Sequence, residues 1–288
     1  MKLGISLPMF TADTGRPIHA AARAAAAGYD GVFAPDHLFP PGAPGRPALE
    51  PFAILAAVAA LHPGLHVGTL VSRASLRPVG VLAKQAAALD QMSGGRAILG
   101  LGAGDSVSRP EHEAFGIPFA SVADRVAILE ETVRALRALF AGERWGGGGH
   151  VPPIAGPLRP PASPQLWVGG RSSEVIAIAA ASADAWNGWA LDADGFEEAA
   201  GELARLADGR PVLPTWGGIA LVGTDRGELD RLREERRAKN LSMDVWYGDA
   251  VDLRAFADRL EAAGCAWMIV LPVGGDDRLE VVAEALRR

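Results

Sequence analysis

Residues Gly28–Phe39 read Gly-Tyr-Asp-Gly-Val-Phe-Ala-Pro-Asp-His-Leu-Phe, and the interpretation of the whole chain starts from this stretch. The apolar run 32–34 is typical of a buried strand, and the proline behind it ends the run just before Asp36 and His37. Where parallel strands end at a common edge, an Asp-His pair can orient, accept or deliver a proton, because histidine titrates near neutral pH. The alternative is that Asp36 only caps a turn and His37 only packs.

Strands and helices alternate along the whole chain. The predicted strands are 3–7, 31–34, 66–71, 96–101, 165–168, 185–187, 212–222 and 267–271. The predicted helices are 17–27, 50–61, 78–92, 121–140, 173–182, 194–207, 226–239, 253–263 and 278–287. Such alternation indicates a parallel sheet, and eight repeats within 288 residues predict one (β/α)8 barrel, a TIM barrel, as a single domain over 1–288.

The amino-acid composition argues against several classes of protein. The net charge is −6 and no run of Lys and Arg forms a basic face, so we expect no nucleic-acid partner. A single cysteine, Cys265, excludes an internal disulfide and a cysteine-based zinc site. No window approaches about 20 uninterrupted apolar residues, so we expect no membrane span and a cytoplasmic location.

One long connection interrupts the pattern. Residues 141–164 hold four consecutive glycines and several prolines, with no predicted strand or helix. A connection of this length inside a compact domain indicates a lid or another mobile segment. The other interpretation is a floppy surface loop without function.

The predicted strand ends carry many apolar and aromatic residues and few charges, which suits a flat conjugated cofactor. Met9, Phe10, Trp186 and Trp216 are the candidate lining of a substrate pocket, with barrel packing as the alternative for the two tryptophans. No closely spaced pair of histidines follows any one strand, so we expect no metal. Asp36 and Asp105 are the only carboxylates at the predicted strand ends, which gives little support to a glycosidase.

Two glycine-rich turns follow predicted strands. The run 100–104 resembles a dinucleotide-binding loop only weakly, and it indicates close backbone approach to a ligand. Gly169, Gly170, Arg171 and Ser172 precede a helix, where free amide groups and the helix dipole favour an anion such as phosphate. An ordinary glycine turn with a serine cap is the alternative.

Taken together, these pieces resemble the luciferase-like monooxygenase superfamily, whose members are (β/α)8 barrels that use FMN or the deazaflavin coenzyme F420. The matching segments are 28–37, 67–71 leading to 77–78, 89–96, 100–104, 111–116, 125–131 and 168–186. They lie in the family's order across most of the first 190 residues. The chain has only three lysines, none at an evident strand end, so we do not expect the substrate of the family's sugar-phosphate dehydrogenases.

The resemblance implies a role for each matched residue. Asp36 and His37 match the pair beside the cofactor ring in the F420-dependent branch, with His37 as the proton-transfer candidate, and Asp105 falls where one branch carries an acid. Three further sets match cofactor contacts: Leu70 and Val71 on a bulged strand with a non-prolyl cis peptide, Gly102, Ala103 and Gly104 at the fourth strand end, and Gly169, Gly170 and Ser172 at the phosphate. Thr69 of the same matching segment and Arg171, through a charge-assisted contact to the anion, complete the predicted cofactor-binding residues.

The resemblance therefore predicts an F420-dependent oxidoreductase that moves a hydride between the deazaflavin and a small organic substrate. Two alternatives stay open. One is an FMN-dependent monooxygenase that uses reduced FMN and oxygen, with a separate reductase as partner. The other is a barrel that binds a flavin without turnover. The resemblance also implies a homodimer.

Overall fold

The computed structural model describes residues 1–238, 244–275 and 277–287. Within them the strands are β1 Lys2–Ser6, β2 Gly31–Ala34, β3 His66–Arg73, β4 Ala97–Gly102, β5 Gln165–Gly169, β6 Ala185–Trp189, β7 Leu213–Gly223, β8 Val245–Asp249 and β9 Trp267–Pro272. The helices are α1 Gly15–Ala26, α2 Pro51–Leu61, α3 Val79–Ser93, α4 Arg109–Ala114, α5 Val122–Phe140, α6 Ser173–Ser182, α7 Ala193–Ala207, α8 Arg226–Ala238, α9 Ala250–Ala262 and α10 Arg278–Leu286.

Eight of these strands close into a parallel barrel, which confirms the predicted fold. The order around it is β1 to β7 and then β9, and β6 pairs with β7 to complete the cylinder. Strand β8 lies outside the barrel and pairs only with the last five residues of β7, from Ile219 to Gly223. Strand β7 is therefore long because its first part belongs to the barrel and its last part extends beyond it.

The sequence does not predict strand β8 or helix α4. Strand β8, Val-Trp-Tyr-Gly-Asp, is short and lacks alternation of apolar and polar residues. Helix α4, Arg-Pro-Glu-His-Glu-Ala, has six mostly polar residues and no apolar period. The predicted helix 226–239 ends at Ala238, and Lys239 lies outside the described residues.

Aromatic rings fill the amino-terminal half of the barrel. Phe33, Trp167 and Trp267 point inward and their ring centroids lie 5.5 to 5.8 Å apart. Each of these rings is buried, at 3% exposure or less. Edge and tilted contacts of these large rings pack this end densely, so a ligand of the barrel is expected at the carboxyl ends of the strands. Among the described residues no helix is long and apolar enough to cross a bilayer.

The connection 141–164 is anchored along the outside of the helices. Trp145 and Ile154 form an antiparallel bridge, and the Glu131 carboxylate on α5 accepts hydrogen bonds from three amides of 149–151. Lys84 on α3 donates to the Arg159 carbonyl. The connection joins the end of α5 to the start of β5, which is the amino end of the barrel. These contacts favour neither a floppy loop nor a lid over the strand carboxyl ends.

Candidate active site

His37 lies just past the end of β2 and is held by Glu111 of α4. Its Nδ1 is 2.8 Å from Glu111 Oε1, and its side chain is 28% exposed. Because an ionised carboxylate only accepts hydrogen bonds, Nδ1 carries a proton in this contact, and in the neutral form of the ring Nε2 keeps a lone pair. Phe10, after β1, packs its ring edge-on against the imidazole at a centroid distance of 5.8 Å.

Glu111 is fully buried and ionised. Burial by itself would raise the pKa of this carboxyl, but the hydrogen bond and charge of His37, the Leu38 amide and Arg73 outweigh it and lower the pKa to about 2. The Leu38 amide donates to Oε2 over 2.6 Å and Arg73 Nη2 donates to the same oxygen over 2.8 Å. One carboxylate on α4 thus joins the segments that follow β2, β3 and β4.

Asp36 follows β2, as predicted, and forms a buried ion pair with Arg77. It is 2% exposed, and both carboxylate oxygens are already engaged. Oδ2 accepts from the Ser72 hydroxyl over 2.6 Å and from Arg77, which also donates to Oδ1 over 3.0 Å. This ion pair ties the segment after β2 to Arg77, and Oδ1 keeps capacity for one more donor. The catalytic and cofactor-binding roles of Asp36 stay predictions.

The floor of the site is built around Val71. The Leu70–Val71 peptide is cis, as the family resemblance implies, and the register of β3 against β4 shifts between Thr69 and Ser72. A Cβ added at Gly102 would lie 2.7 Å from Val71 Cγ2, and one at Gly169 would lie 2.9 Å from Val71 Cγ1. These glycines therefore admit the half-buried valine and keep the space above the barrel free of side chains.

Thr69 lies below this floor. It is fully buried, and its hydroxyl exchanges two hydrogen bonds with the backbone of Gly100, at 2.9 and 3.1 Å. A Cβ at Gly100 would lie 2.3 Å from the Thr69 carbonyl oxygen, so only glycine fits at this position. The Thr69 hydroxyl therefore stabilises the bulged strand, and the cofactor contact of Thr69 stays a prediction.

Asp105 is an exposed cap. Ala103 and Gly104 are half-buried and lead from β4 to a 3-10 helix, Ser106–Ser108. Asp105 Oδ1 accepts from the Ser108 amide over 3.1 Å and from its hydroxyl over 2.9 Å. These bonds account for Asp105 as an N-cap, which does not support the predicted role of an acid.

The turn after β5 keeps part of the predicted anion site. Ser172 caps α6, and Arg171 and Ser172 are exposed. The Gly170 amide, however, already donates to the Asn187 carbonyl over 3.1 Å. An anion at this helix end would therefore use the amides that follow Gly170.

The predicted substrate-pocket residues separate into two groups. Trp186 stacks on Phe196 of α7, and Trp216 packs against Phe256 of α9, so both indoles point outward into the helix layer. Met9 is 1% exposed and also belongs to the core. In the structure these three side chains pack in the core and Phe10 lies beside His37, so a substrate-lining role of the three stays a prediction.

Trp189 is the indole of β6 that faces this pocket. Strand side chains alternate, and the residues of β6 that face the barrel interior are Ala185, Asn187 and Trp189. The Trp189 ring is half-buried and lies over Gly217, where an added Cβ would come 2.9 Å from it. Because β6 is diametrically opposite β2 in an eight-strand barrel, this indole faces the His37 side across the mouth.

Glu111, Arg73 and Arg77 were not assigned a role from the sequence. Glu111 is 74 residues from His37, and no local spacing links the two. The available signals were the family-like segments 111–116 and 77–78, which contain Glu111 and Arg77. Of the lysines, Lys2 begins β1 and Lys84 lies on α3, away from the strand carboxyl ends. Within the described ranges no three His, Cys, Asp or Glu residues are grouped as a metal site.

A closed (β/α)8 barrel with an ionisable pair at its carboxyl edge is the architecture of an enzyme. A family model described as luciferase-like monooxygenase matches residues 1–263. The chain belongs to this family of oxidoreductases.

Two named relatives give the family more detail. An F420-dependent glucose-6-phosphate dehydrogenase of Nakamurella multipartita is 29% identical over 211 residues, which cover 72% of this chain and 58% of the relative. An uncharacterized protein of Mycobacterium tuberculosis is 30% identical over 167 residues, which cover 57% of this chain and 56% of that protein. The matched region thus spans little more than half the length of these curated relatives.

Solved structures share the fold. An F420-dependent secondary alcohol dehydrogenase in complex with an F420-acetone adduct superimposes with a TM-score of 0.83 at 18% identity, over 100% of this chain and 99% of that one. EDTA monooxygenase from Chelativorans sp. BNC1 gives 0.81 at 16% identity, over 99% of this chain and 92% of that one. At these identities the likeness concerns architecture.

Proposed function

We propose that the protein is a coenzyme F420-dependent oxidoreductase that moves a hydride between the deazaflavin and a small organic substrate. The observation that carries the proposal is His37, a partly exposed imidazole at a strand end whose Nδ1 is bound to the ionised Glu111. Relatives named as F420-dependent dehydrogenases support the choice of cofactor. When bound, the deazaflavin would supply the hydride acceptor or donor.

The residues present fit a flat ring. Val71 offers a half-buried aliphatic surface, and Gly102 and Gly169 add no side chain above it. We propose that these residues hold the ring, and that amides at the start of α6, near Ser172, hold the phosphate. The Glu174 carboxylate itself accepts hydrogen bonds from its own amide and from the Ser172 hydroxyl at this helix end, so a bound phosphate would have to displace it.

His37 would move the proton of the reaction. In the oxidation of an alcohol, its Nε2 accepts the hydroxyl proton while the carbon loses a hydride, and the resulting imidazolium forms an ion pair with Glu111. In the reverse direction the imidazolium returns that proton to the carbonyl oxygen. Phe10 limits the rotation of the ring by packing on its other side.

The experiment is a fluorescence titration of the purified chain with F420 and with FMN, each oxidised and reduced. We expect saturable binding of F420 and much weaker binding of FMN. Preferential binding of reduced FMN, with oxygen-dependent product, would replace the proposal with the FMN-dependent monooxygenase. Tight binding without turnover of any tested alcohol, aldehyde or ketone would favour the non-catalytic barrel.

A substitution of His37 tests its proposed role in proton transfer. We expect His37→Ala to bind F420 within about threefold of the wild type and to lose about a hundredfold or more in turnover. The matched control is His19→Ala, an exposed histidine on α1. Equal turnover in both variants would remove His37 from the mechanism.

We further propose that the chain acts as one domain, as a homodimer, in the cytoplasm, and that a separate F420 reductase restores the reduced cofactor where the reaction consumes it. Light scattering of the purified chain tests the dimer, since a monomer mass would contradict it. None of the proposed contacts to the ring depends on a second copy of the chain.

A further inference from the structure

Arg73 is a buried arginine at the end of β3. Its own hydrogen bonds do not explain why an arginine occupies this position. It is 4% exposed, and its Nη2 donates to the Asp36 carbonyl over 3.2 Å and to Glu111 Oε2 over 2.8 Å. Its Nε and Nη1 are buried and have no partner among the described residues. Unpaired buried donors are costly, so an apolar side chain of this size would be the more stable choice if packing were the only requirement.

The position of Arg73 bears on the geometry of Glu111. Glu111 Oε2 receives both the Leu38 amide and Arg73, which leaves Oε1 to His37 alone. A carboxylate is planar, so two donors on one oxygen set the direction in which the other oxygen faces. Gly104 makes room for this arrangement, because an added Cβ there would lie 3.3 Å from Arg73 Cδ.

We propose that Arg73 is a positioning residue for His37: through Glu111 it holds the imidazole in the Nδ1–H tautomer, with the Nε2 lone pair available to substrate. The inference rests on the proposed proton-transfer role of His37. It extends that role to a residue whose hydrogen bonds go to the Asp36 carbonyl and to Glu111 rather than to His37. Losing the Nη2 hydrogen bond of Arg73 would free the Glu111 carboxylate to rotate, and Nε2–H rings would then appear.

The competing account is that Arg73 only ties the strand ends together. Arg77 allows the two accounts to be separated, because it is a second arginine of the same region that binds the Asp36 carboxylate and makes no bond to Glu111. Replacing Arg77 removes its ion pair with Asp36, the neighbour of His37, but leaves the hydrogen bonds of the Glu111 carboxylate in place. A purely structural role predicts the same effect from both arginines.

The test is a long-range proton–nitrogen NMR spectrum of the full-length chain labelled with nitrogen-15 in histidine, recorded without cofactor. The His37 signals are assigned with His37→Gln, and the nitrogen shifts report which nitrogen is protonated. We expect the Nδ1–H tautomer in the wild type and in Arg77→Met. In Arg73→Met we expect the ratio of Nδ1–H to Nε2–H to fall about tenfold, the effect of one charge-assisted hydrogen bond.

Three results would overturn the inference: an Nε2–H ring in the wild type, an unchanged ratio in Arg73→Met, or an equal change in Arg77→Met. If Arg73→Met does not fold, Arg73→Lys replaces it. Lysine keeps the charge but cannot bond Glu111 in the planar geometry of arginine, so the ratio should fall by a smaller factor, and no change would refute the role. The tautomer needs neither F420 nor turnover, so its outcome is independent of the cofactor titration.

Discussion

Replacing Glu111 by glutamine is expected to destabilise the fold by about 3 kcal/mol at pH 7. The buried carboxyl has its pKa lowered from 4.5 to about 2, and a displacement of that size corresponds to about 3 kcal/mol of stabilisation of the ionised form. With about 2.1 cal/mol/K of unfolding entropy per residue over 288 residues, this loss lowers Tm by about 5 °C.

The sign of the pH dependence follows from the direction of the shift. A carboxyl whose pKa is lower in the folded state contributes its full stabilisation above the unfolded value of 4.5 and loses it as the pH falls towards about 2. The difference in Tm between the wild type and Glu111→Gln should therefore be constant from pH 7 to about 5 and should narrow below it.

Thermal denaturation followed by circular dichroism measures this difference. The matched control is Glu113→Gln on the same helix, where the carboxylate is 64% exposed and 3.9 Å from Arg109. An exposed pair of this kind contributes little, so its Tm should stay within about 1 °C of the wild type. A Glu111→Gln variant as stable as Glu113→Gln would refute the conclusion that the buried carboxylate holds the strand ends together.

Three further outcomes are expected. Gly100→Ala would place a methyl group 2.3 Å from the Thr69 carbonyl oxygen and should cost about 3 kcal/mol in thermal denaturation, whereas Gly80→Ala, with open space around it, should not destabilise. Cys265 is buried, which raises the pKa of its thiol to about 12, so a disulfide reagent should modify it only as fast as the chain unfolds; rapid labelling would contradict this. Glu131→Gln should weaken the anchoring of 141–164 and speed its cleavage by trypsin. An unchanged cleavage rate would show that the hydrogen bonds from the three backbone amides to Glu131 do not hold the connection.

The barrel was predictable because its signal is spread over the whole chain. Each buried strand is a short apolar run, and a helix of contrasting period follows it, so an error in one element leaves the alternation intact. Strand β8 could not be found in this way. It pairs only with the extended end of β7, and nothing in Val-Trp-Tyr-Gly-Asp distinguishes that position from a loop.

The site was less predictable because side-chain direction and long-range pairing decide it. If the register of β6 were shifted by one residue, Trp186 would face the barrel interior in place of its neighbours. The sequence contains no marker of that register. The partner of His37 lies on a short polar helix, and burial of Glu111 follows only from the way α4 folds over the ends of β2 and β3.

The rings that fill the amino-terminal half of the barrel give the protein an optical property. Trp167 and Trp267 are fixed at a centroid distance of 5.8 Å and an interplanar angle of 66°, close enough for their electronic transitions to couple. Such a rigid pair produces a near-ultraviolet dichroic band that reports the integrity of the barrel. Ultraviolet emission from these indoles also overlaps the absorption of any yellow chromophore bound at the open end, so the chain contains its own energy-transfer donors.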